Sequence, residues 1–404
     1  MNLRYIRLCC GLLALLLLCV LGACRSDEVQ GELNPSTNVT ESEQESELHD
    51  GTAPETQEEA TSAEQGPSAS QETSTEQLTQ EPAAQGSIVT PGAVGYTYPE
   101  LQEDLAALAD TYSAAFSYQS IGKSVDGREI YACTVGNPNA EKKILLTGGM
   151  HGKEYLSSLL VMTQIEFYLA NYETGSYNGL SYAELLENYA FYVLPMINPE
   201  GVMLALGGIE SIQTPEVRAT VEKIYESNLR DGLTTADDIN VYLAYNWKAN
   251  ANGVDLNRNF ALSNWSEVKT GILAPCYRNY KGPRAASEPE TQAVSAYVEG
   301  LGEIKALLAY HTAGQVVYWD CGMTGGVRQK TYDLAKAVCD HTGYKLIYDE
   351  HLDASLNDWI TLEKGVPSVT VEIANVVYPM PTSELDAAFA QTKQLWVVAA
   401  QFIG

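Results

Sequence analysis

The pattern of apolar and polar positions divides the chain into three parts. An apolar run covers residues 8–21, and residues 25–90 consist mainly of Glu, Ser, Thr, Gln, Ala and Pro with almost no aromatic residues. Beyond about Tyr96, aromatic residues become frequent, and apolar runs alternate with segments whose apolar residues recur at helical spacing. We predict a signal segment at residues 1–23, a disordered acidic tether at 24–90 and one folded domain at 91–404.

The folded part contains four apolar runs that predict buried strands. These runs are residues 143–149, 189–197, 304–310 and 368–373. Helical spacing of apolar residues predicts helices at 101–112, 157–171, 288–300 and 355–364. Nearly continuous apolar strands that lie between helices are typical of a sheet covered on both faces. The pattern therefore predicts an α/β domain with no second linker inside it.

The charge of the chain excludes one class of partner. The sequence has 24 Lys and Arg against 52 Asp and Glu, for a net charge of -28. Such a chain is expected to repel phosphate backbones, so we predict no nucleic-acid partner. Roughly half of the net charge lies before about residue 90, so the folded domain is only moderately acidic.

The first residues have the features of a targeting segment. Arg4 and Arg7 precede the apolar run, which ends in Leu21-Gly22-Ala23-Cys24. A transmembrane helix or an ordinary secretory signal are the alternatives, although the run is short for a membrane span. The four residues at its end resemble the lipobox of bacterial lipoproteins. This resemblance implies that Cys24 becomes the lipidated first residue and anchors the protein to the outer surface of the bacterial membrane.

Histidine is scarce, and two of the 5 histidines follow predicted strands. His151 lies just after the first predicted strand, and Glu154 follows it by three residues. His311 directly follows the third. Taken singly, they are also compatible with a surface turn and with a half-buried histidine satisfied by backbone. Together they form the ligand set of hydrolytic zinc sites, in which zinc lowers the pKa of its open-position water to about 7.

Two further positions could take part in such chemistry. Glu372 lies near the end of the last predicted strand, where a buried carboxylate is costly without a partner or a task. It is either a core carboxylate paired with Lys or Arg, or a general base. Asn257 and Arg258 lie in a glycine-containing loop and could offer an amide and a forked guanidinium to a carboxylate. Alone, this loop is an ordinary polar loop.

Taken together, these segments resemble the zinc carboxypeptidases of the carboxypeptidase A type, here as a bacterial lipoprotein member. The resemblance covers about residues 121–374. Its motifs are GREI at 127–130, HGKE at 151–154, NPEG at 198–201, GVDLNRNF at 253–260, ASEPET at 286–291, HT at 311–312, NDW at 357–359 and VEI at 371–373. It implies a mixed, mostly parallel eight-stranded sheet sandwiched between helices.

The resemblance also implies a role for each matching position. His151, Glu154 and His311 would bind one zinc ion, and Glu372 would act as general acid and base. Asn257 and Arg258 would hold the terminal carboxylate of the substrate. Asp255 would accept a hydrogen bond from His151 and orient it, an arrangement common for metal-bound histidine.

Three positions depart from the pattern of the family. Lys248 stands where the digestive enzymes have an arginine that stabilises the oxyanion, and lysine lacks the planar fork. Tyr348 is the nearest candidate for the mobile active-site tyrosine, although its spacing does not match cleanly. Asn357 occupies the side-pocket position and is neither acidic nor aliphatic, which leaves the side-chain preference open.

We therefore predict a monomeric zinc metallopeptidase that hydrolyses a peptide bond near a free C-terminal carboxylate. An alternative substrate is the stem peptide of the cell wall, cleaved at a γ-D-glutamyl-diamino acid bond. One different class of function is a receptor that binds a soluble substrate for a transporter without turnover. Another is a non-catalytic surface binding lipoprotein on the same fold. That class predicts loss of a metal ligand or of the base, whereas all four positions are occupied here.

Overall fold

The computed structural model describes residues 87–93, 95–320, 322–348 and 351–404. These residues belong to one compact unit. The predicted signal segment, Cys24 and the predicted tether up to residue 86 lie outside the described residues, so the lipid anchor and the extracytoplasmic location stay predictions. Among the described residues, no helix is both long and apolar enough to cross a membrane.

Ten strands form one large sheet and one small hairpin. In chain order they are β1 (Phe116–Lys123), β2 (Glu129–Gly136), β3 (Lys142–Thr147), β4 (Ser176–Tyr177), β5 (Leu180–Ser181), β6 (Tyr189–Leu194), β7 (Ala306–Thr312), β8 (Val316–Tyr318), β9 (Lys345–Ile347) and β10 (Ser368–Ile373). The large sheet has eight strands in the order β1-β2-β6-β3-β7-β10-β8-β9, and β4 pairs with β5. Strands β6, β3, β7 and β10 pair in parallel, and so do β8 and β9. The pairs β1–β2, β2–β6 and β10–β8 are antiparallel. The predicted mixed eight-stranded sheet is confirmed.

Helices cover both faces of this sheet. They are α1 (Tyr98–Thr111), α2 (Leu156–Ala170), α3 (Tyr182–Asn188), α4 (Pro199–Gly207), α5 (Pro215–Arg230), α6 (Ile239–Asn246), α7 (Pro289–Gly300), α8 (Gly325–Thr342), α9 (Leu356–Asp358), α10 (Leu385–Thr392) and α11 (Leu395–Ile403). Short 3-10 segments lie at Gly152–Glu154, Ile209–Ser211, Leu256–Arg258, Trp265–Glu267 and Thr382–Glu384. A π-helical segment, Trp359–Glu363, directly continues α9.

Helix α1 shows how the local sequence sets an element. Thr97 caps the helix, and the side chain of Glu100 bonds back to the backbone of Thr97, which completes a capping box. Leu101, Leu105 and Leu108 recur on one face and are buried. The helix therefore begins three residues before the predicted start at residue 101, because the cap and not the first buried leucine determines where it starts.

The two faces of the sheet bury separate apolar clusters. One face packs against α1, α2, α8, α10 and α11, where the Trp396 ring stacks on Phe191 with 4.6 Å between ring centroids. The other face packs against α7, α9 and the chain around Phe260. A third cluster joins α4, α5 and α6 around the fully buried Trp247. Because all central strands are covered on both sides, their sequences are almost continuously apolar.

Strand β7 corrects one prediction. The sequence pattern ended this strand at residue 310, before His311, whereas the strand runs through His311 and Thr312. Both polar residues are buried because β10 continues the parallel ladder, with Glu372 opposite His311 and Ile373 opposite Thr312. The histidine therefore belongs to the sheet and not to a following loop.

The first described residues pack against the domain. The backbone N–H groups of Ile88 and Val89 donate to the carboxylate of Glu166 on α2, at 2.7 and 2.9 Å. The hydroxyl of Ser87 donates to the same carboxylate at 2.7 Å, and Val89 is buried. These residues lie in the segment predicted as tether, so the folded part includes residues ahead of the predicted boundary at 91.

A buried network of carboxyl groups joins three of the motifs. Arg128 of GREI donates to Glu200 of NPEG at 2.9 Å, and Ser124 donates to the same oxygen at 2.7 Å. The carboxyl group of Glu290, from ASEPET, accepts from the N–H of Val125 at 3.1 Å. Burial, followed by the charge of Glu200, raises the pKa of Glu290 to about 8. At neutral pH the native Glu290 therefore holds a proton that an unfolded chain would release.

We expect this proton to make stability depend on pH. Between pH 5 and 8 the native Glu290 keeps its proton while the unfolded residue ionises, so the free energy of unfolding falls as pH rises, by at most about 1.4 kcal/mol per pH unit. Glu290→Gln cannot ionise and should remove this part of the slope. Urea unfolding at several pH values measures it. Glu103→Gln, at an exposed position on α1, should leave the slope unchanged, and equal slopes for wild type and Glu290→Gln would contradict the interpretation.

Candidate active site

Three side chains converge at the carboxyl ends of neighbouring parallel strands. His151 and Glu154 lie on the turn that follows β3, and His311 lies on the adjacent β7. The two oxygens of Glu154 lie 3.0 Å from Nδ1 of His151 and 3.0 Å from Nδ1 of His311. Within the described ranges, this is the one group of His, Cys, Asp or Glu whose donor atoms lie close enough together, within 4.8 Å, to hold a metal ion.

Glycines make the turn that carries His151 possible. After β3 ends at Thr147, Gly149 adopts φ 60°, a left-handed conformation that suits glycine. A Cβ atom on Gly152 would lie 2.4 Å from the carbonyl oxygen of Gly201 in α4. The HGKE and NPEG motifs therefore pack backbone against backbone. Asn198 strengthens this contact, because its amide donates to the carbonyl oxygens of Met150 and Ala249 at 3.2 and 3.0 Å.

Asp255 holds the other nitrogen of His151. Its Oδ1 lies 3.1 Å from His151 Nε2, while Nδ1 of the same ring faces Glu154. Burial lowers the pKa of His151, but the charges of Glu154 and Asp255 outweigh burial and raise this pKa to about 9. A histidine with one nitrogen on a carboxylate and the other at a cluster of donors has the arrangement of metal-bound histidine. The residues present therefore fit a zinc ion.

The electrostatics of the cluster favour a cation. Burial raises the pKa of Glu154, but the charges of His151 and Lys248 hold it well below its usual range. Burial lowers the pKa of Lys248, yet Glu154 and Glu372 outweigh it and raise this pKa. The Nζ atom of Lys248 lies 3.1 Å from Glu154 Oε1. The predicted oxyanion-stabilising lysine is thus at the site and charged, in contact with a predicted metal ligand.

Glu372 lies beside this cluster on β10. Its backbone pairs with His311, so the two side chains occupy the same level of the sheet. Among the described residues, its Oε2 atom is buried without a hydrogen-bond partner. Burial, followed by the charge of Glu154, raises the pKa of the carboxyl group to about 8. Such a carboxyl group is suited to accept and release a proton near neutral pH.

Asn257 and Arg258 line the same cavity, which has a volume of about 260 Å³. Asp255 accepts from the N–H of Asn257 at 3.1 Å and so begins the 3-10 turn that carries both residues. The carbonyl oxygen of the Asn257 side chain accepts from the N–H of Leu356 at 3.2 Å. The Arg258 guanidinium lies 3.2 Å from Asp353. The cavity that His151 and His311 line therefore also contains a cationic group, as the predicted carboxylate site requires.

Of the two remaining predicted residues, one lines the cavity and the other does not. Asn357 lines the cavity, and both polar atoms of its amide are buried without a hydrogen-bond partner among the described residues. Tyr348 is not among the cavity-lining residues, and its ring packs edge-on against Trp319 with 5.8 Å between centroids. Its role as the mobile tyrosine stays a prediction. Instead, the loop that follows brings His351 and Asp353 to the cavity wall.

Sequence reasoning missed these two loop residues. The segment 351–355 has no regular secondary structure and no periodic pattern, so nothing in it distinguishes a cavity wall from a solvent-exposed loop. The one signal was the position of the loop just before the NDW motif.

Residues 101–394 match the sequence profile of the family described as zinc carboxypeptidase. The chain belongs to the zinc carboxypeptidase family. It is a hydrolase of the metallopeptidase type, the family is zinc-dependent, and the described residues include a His-Glu-His group that could hold a metal ion.

The chain is similar in sequence to two named proteins and in fold to one solved structure. It is 27% identical over 301 residues to gamma-D-glutamyl-L-diamino acid endopeptidase 1 of Lysinibacillus sphaericus, covering 74% of this chain and 71% of that protein. It is 26% identical to carboxypeptidase B of Astacus astacus over 329 residues, or 76% and 96% of the two chains. The solved structure of thrombin activatable fibrinolysis inhibitor shares the fold, with a TM-score of 0.60, 17% identity and coverage of 76% and 75%.

We expect the purified protein to hold about one zinc ion per chain. His311→Ala should lose the ion because it removes one of three donors, and Asp255→Asn should weaken zinc affinity about 10–100-fold because it no longer orients His151 as well. Competition with a chelator, followed by mass spectrometry of the metal, measures both effects. His341→Ala is the matched control, since His341 bonds Tyr177 away from this cavity. Unchanged zinc content in His311→Ala would rule out this ligand set.

Proposed function

We propose that this protein hydrolyses a peptide bond near a free C-terminal carboxylate, with one zinc ion as cofactor. The observation that carries the proposal is the content of one cavity. It brings together the His-Glu-His group, the carboxylate of Glu372 with its buried, unpartnered oxygen, and the guanidinium of Arg258. A metallocarboxypeptidase needs a metal, a general base and a carboxylate-binding cation at fixed separations, and the three are held here on separate rigid elements.

His151, Glu154 and His311 would hold the zinc ion. When bound, zinc supplies a Lewis acid that polarises the substrate carbonyl and makes water a better nucleophile at neutral pH. Glu372 would accept a proton from the attacking water and pass it to the leaving amine. Its raised pKa suits both halves of this task, because the same group must first take and then give the proton.

Arg258 and Asn257 would hold the substrate. The guanidinium would bind its terminal carboxylate, and the amide hydrogens of Asn257 would add a second donor. Lys248 keeps a positive charge beside Glu154. From there it would stabilise negative charge that develops on the carbonyl oxygen. The non-catalytic alternative predicts that one of these groups is lost, and none is.

The proposal predicts a specific effect of removing the base. Glu372→Gln should lower kcat about 10²–10⁴-fold because the amide cannot accept a proton, while zinc content stays that of the wild type. Steady-state kinetics on blocked dipeptides, together with metal analysis, measure both quantities. Chelation should abolish wild-type activity and added zinc should restore it.

Glu299→Gln serves as the control for this experiment. Glu299 pairs with Lys364 at the surface and is not among the cavity-lining residues, so its loss should leave kcat unchanged. If Glu372→Gln retained wild-type turnover, another group would have to act as the base and the proposed mechanism would fail.

A specific observation favours a second candidate substrate, the cell-wall stem peptide. The side pocket is polar, since Asn357 is accompanied in the cavity wall by Ser355, Thr361, Ser368 and Thr370. Its two unpartnered amide atoms fit a polar side chain better than an aliphatic or aromatic one. The endopeptidase relative from Lysinibacillus sphaericus acts, by its name, at a γ-D-glutamyl-diamino acid bond. The predicted lipid anchor would place the protein near the wall.

The two candidates differ in measurable specificity. If stem peptides are the substrate, kcat/KM should be at least about tenfold higher for a γ-D-glutamyl-diamino acid peptide than for an α-linked peptide ending in leucine or phenylalanine. Asn357→Leu should reduce this ratio, because it replaces the polar amide by an apolar group of similar size. The opposite ratio in wild type would leave ordinary C-terminal trimming as the function.

A further inference from the structure

The cavity contains a second charged group at the carboxylate-binding cation. Oδ2 of Asp353 lies 3.2 Å from Nη2 of Arg258, and both residues line the cavity. The side chain of Asp353 is 35% exposed and that of Arg258 is 20% exposed, so solvent reaches both. An incoming ligand therefore meets a positive and a negative group side by side.

The loop holds Asp353 in this place. The N–H of Asp353 donates to Oδ2 of Asp358 at 2.9 Å, and the carbonyl oxygen of the following Ala354 accepts from Phe260 N at 3.0 Å. Ala354 is fully buried and adopts φ 60°. An alanine in this left-handed region is uncommon, and the surrounding contacts must hold it there. These contacts hold the backbone at Asp353 in place in the cavity wall.

Two kinds of ligand would interact differently with the charges of Arg258 and Asp353. A plain carboxylate that approaches Arg258 also meets the like charge of Asp353, which repels it and competes for the same guanidinium. A ligand that carries an ammonium group next to its carboxylate meets an opposite charge at each position. The nitrogen and the carboxylate oxygens of an α-amino acid terminus are about as far apart as a hydrogen bond, close to the spacing of the Arg258 and Asp353 side chains.

We propose that Asp353 and Arg258 together recognise a zwitterionic end of the substrate, a free carboxylate with an adjacent ammonium group. This inference rests on the proposed function and deepens it. The chemical class is a residue whose side chain ends in its own amino-carboxylate, as in a 2,6-diamino dicarboxylic acid. For such a substrate, the free carboxylate that Arg258 binds is the one at the end of the side chain, and Asp353 is the specificity-determining residue that binds the ammonium beside it. Asn357 lines the same cavity.

Three matched substrates separate the contributions of the two charges. Each has the same acyl-γ-D-glutamyl group and an α-carboxyl group blocked as the amide. The side chain ends in both charges in diaminopimelate, in the carboxylate alone in 2-aminopimelate and in the ammonium alone in lysine. For the wild type, we expect kcat/KM for the diaminopimelate peptide to exceed each of the others at least about tenfold. Asp353→Asn keeps the shape but loses the charge. It should lower kcat/KM for diaminopimelate, raise it for 2-aminopimelate, and bring their ratio close to one, mainly through KM.

The controls distinguish failure of this inference from failure of the proposed function. Asp333→Asn, at an exposed site on α8 where the carboxylate accepts from Gln329, should leave all ratios unchanged. Binding of the three peptides to the Glu372→Gln protein, measured by calorimetry, gives the same ranking without turnover. Equal affinities for all three, or the same ranking in Asp353→Asn as in wild type, would overturn the role of Asp353. Ranked binding with no hydrolysis by the wild type would overturn the proposed function and leave this inference standing.

Discussion

The parallel pairing of β3, β7 and β10 is the constraint on which the site depends. Parallel strands end at the same edge of a sheet, so the turn after β3 and the last residues of β7 and β10 meet there. The register places Glu372 level with His311, and β3 places Glu154 beside both. A shift of one residue in either pairing would turn the side chain to the opposite face of the sheet. The covered apolar strands therefore fix the chemistry as well as the fold.

One carboxylate organises the charges at that edge. Glu154 contacts His151, His311 and Lys248, all within 3.1 Å. Buried charges require partners, and here the partners are cations or groups that can become cations. This explains why the pKa of Glu154 falls while the pKa of the neighbouring Glu372 rises. In the proposed mechanism, these surroundings would give the two carboxyl groups different tasks, one as a charged ligand and the other as a proton carrier.

The sequence predicted those parts of the structure that depend on local pattern. The central strands, the main helices and the HxxE turn are visible because burial imposes apolar runs and helical spacing. The end of β7 was wrong because a histidine usually ends an apolar run, whereas here the β10 ladder carries the strand past His311. Asp353 was missed because its position depends on a bond to Asp358 that follows no periodic pattern, and on the contact of the neighbouring Ala354 with Phe260, which is distant in sequence. Loop side chains set by such contacts leave no periodic signal.

The motifs without a role in catalysis explain how the turn at His151 is supported. Arg128 and Ser124 fix Glu200, and Glu200 lies next to Gly201 in α4. Gly201 in turn packs directly against Gly152, two residues before the proposed metal ligand Glu154. The buried carboxyl groups are therefore linked by packed backbone contacts to the turn that carries the proposed zinc ligands. This linkage accounts for motifs that lie outside the cavity.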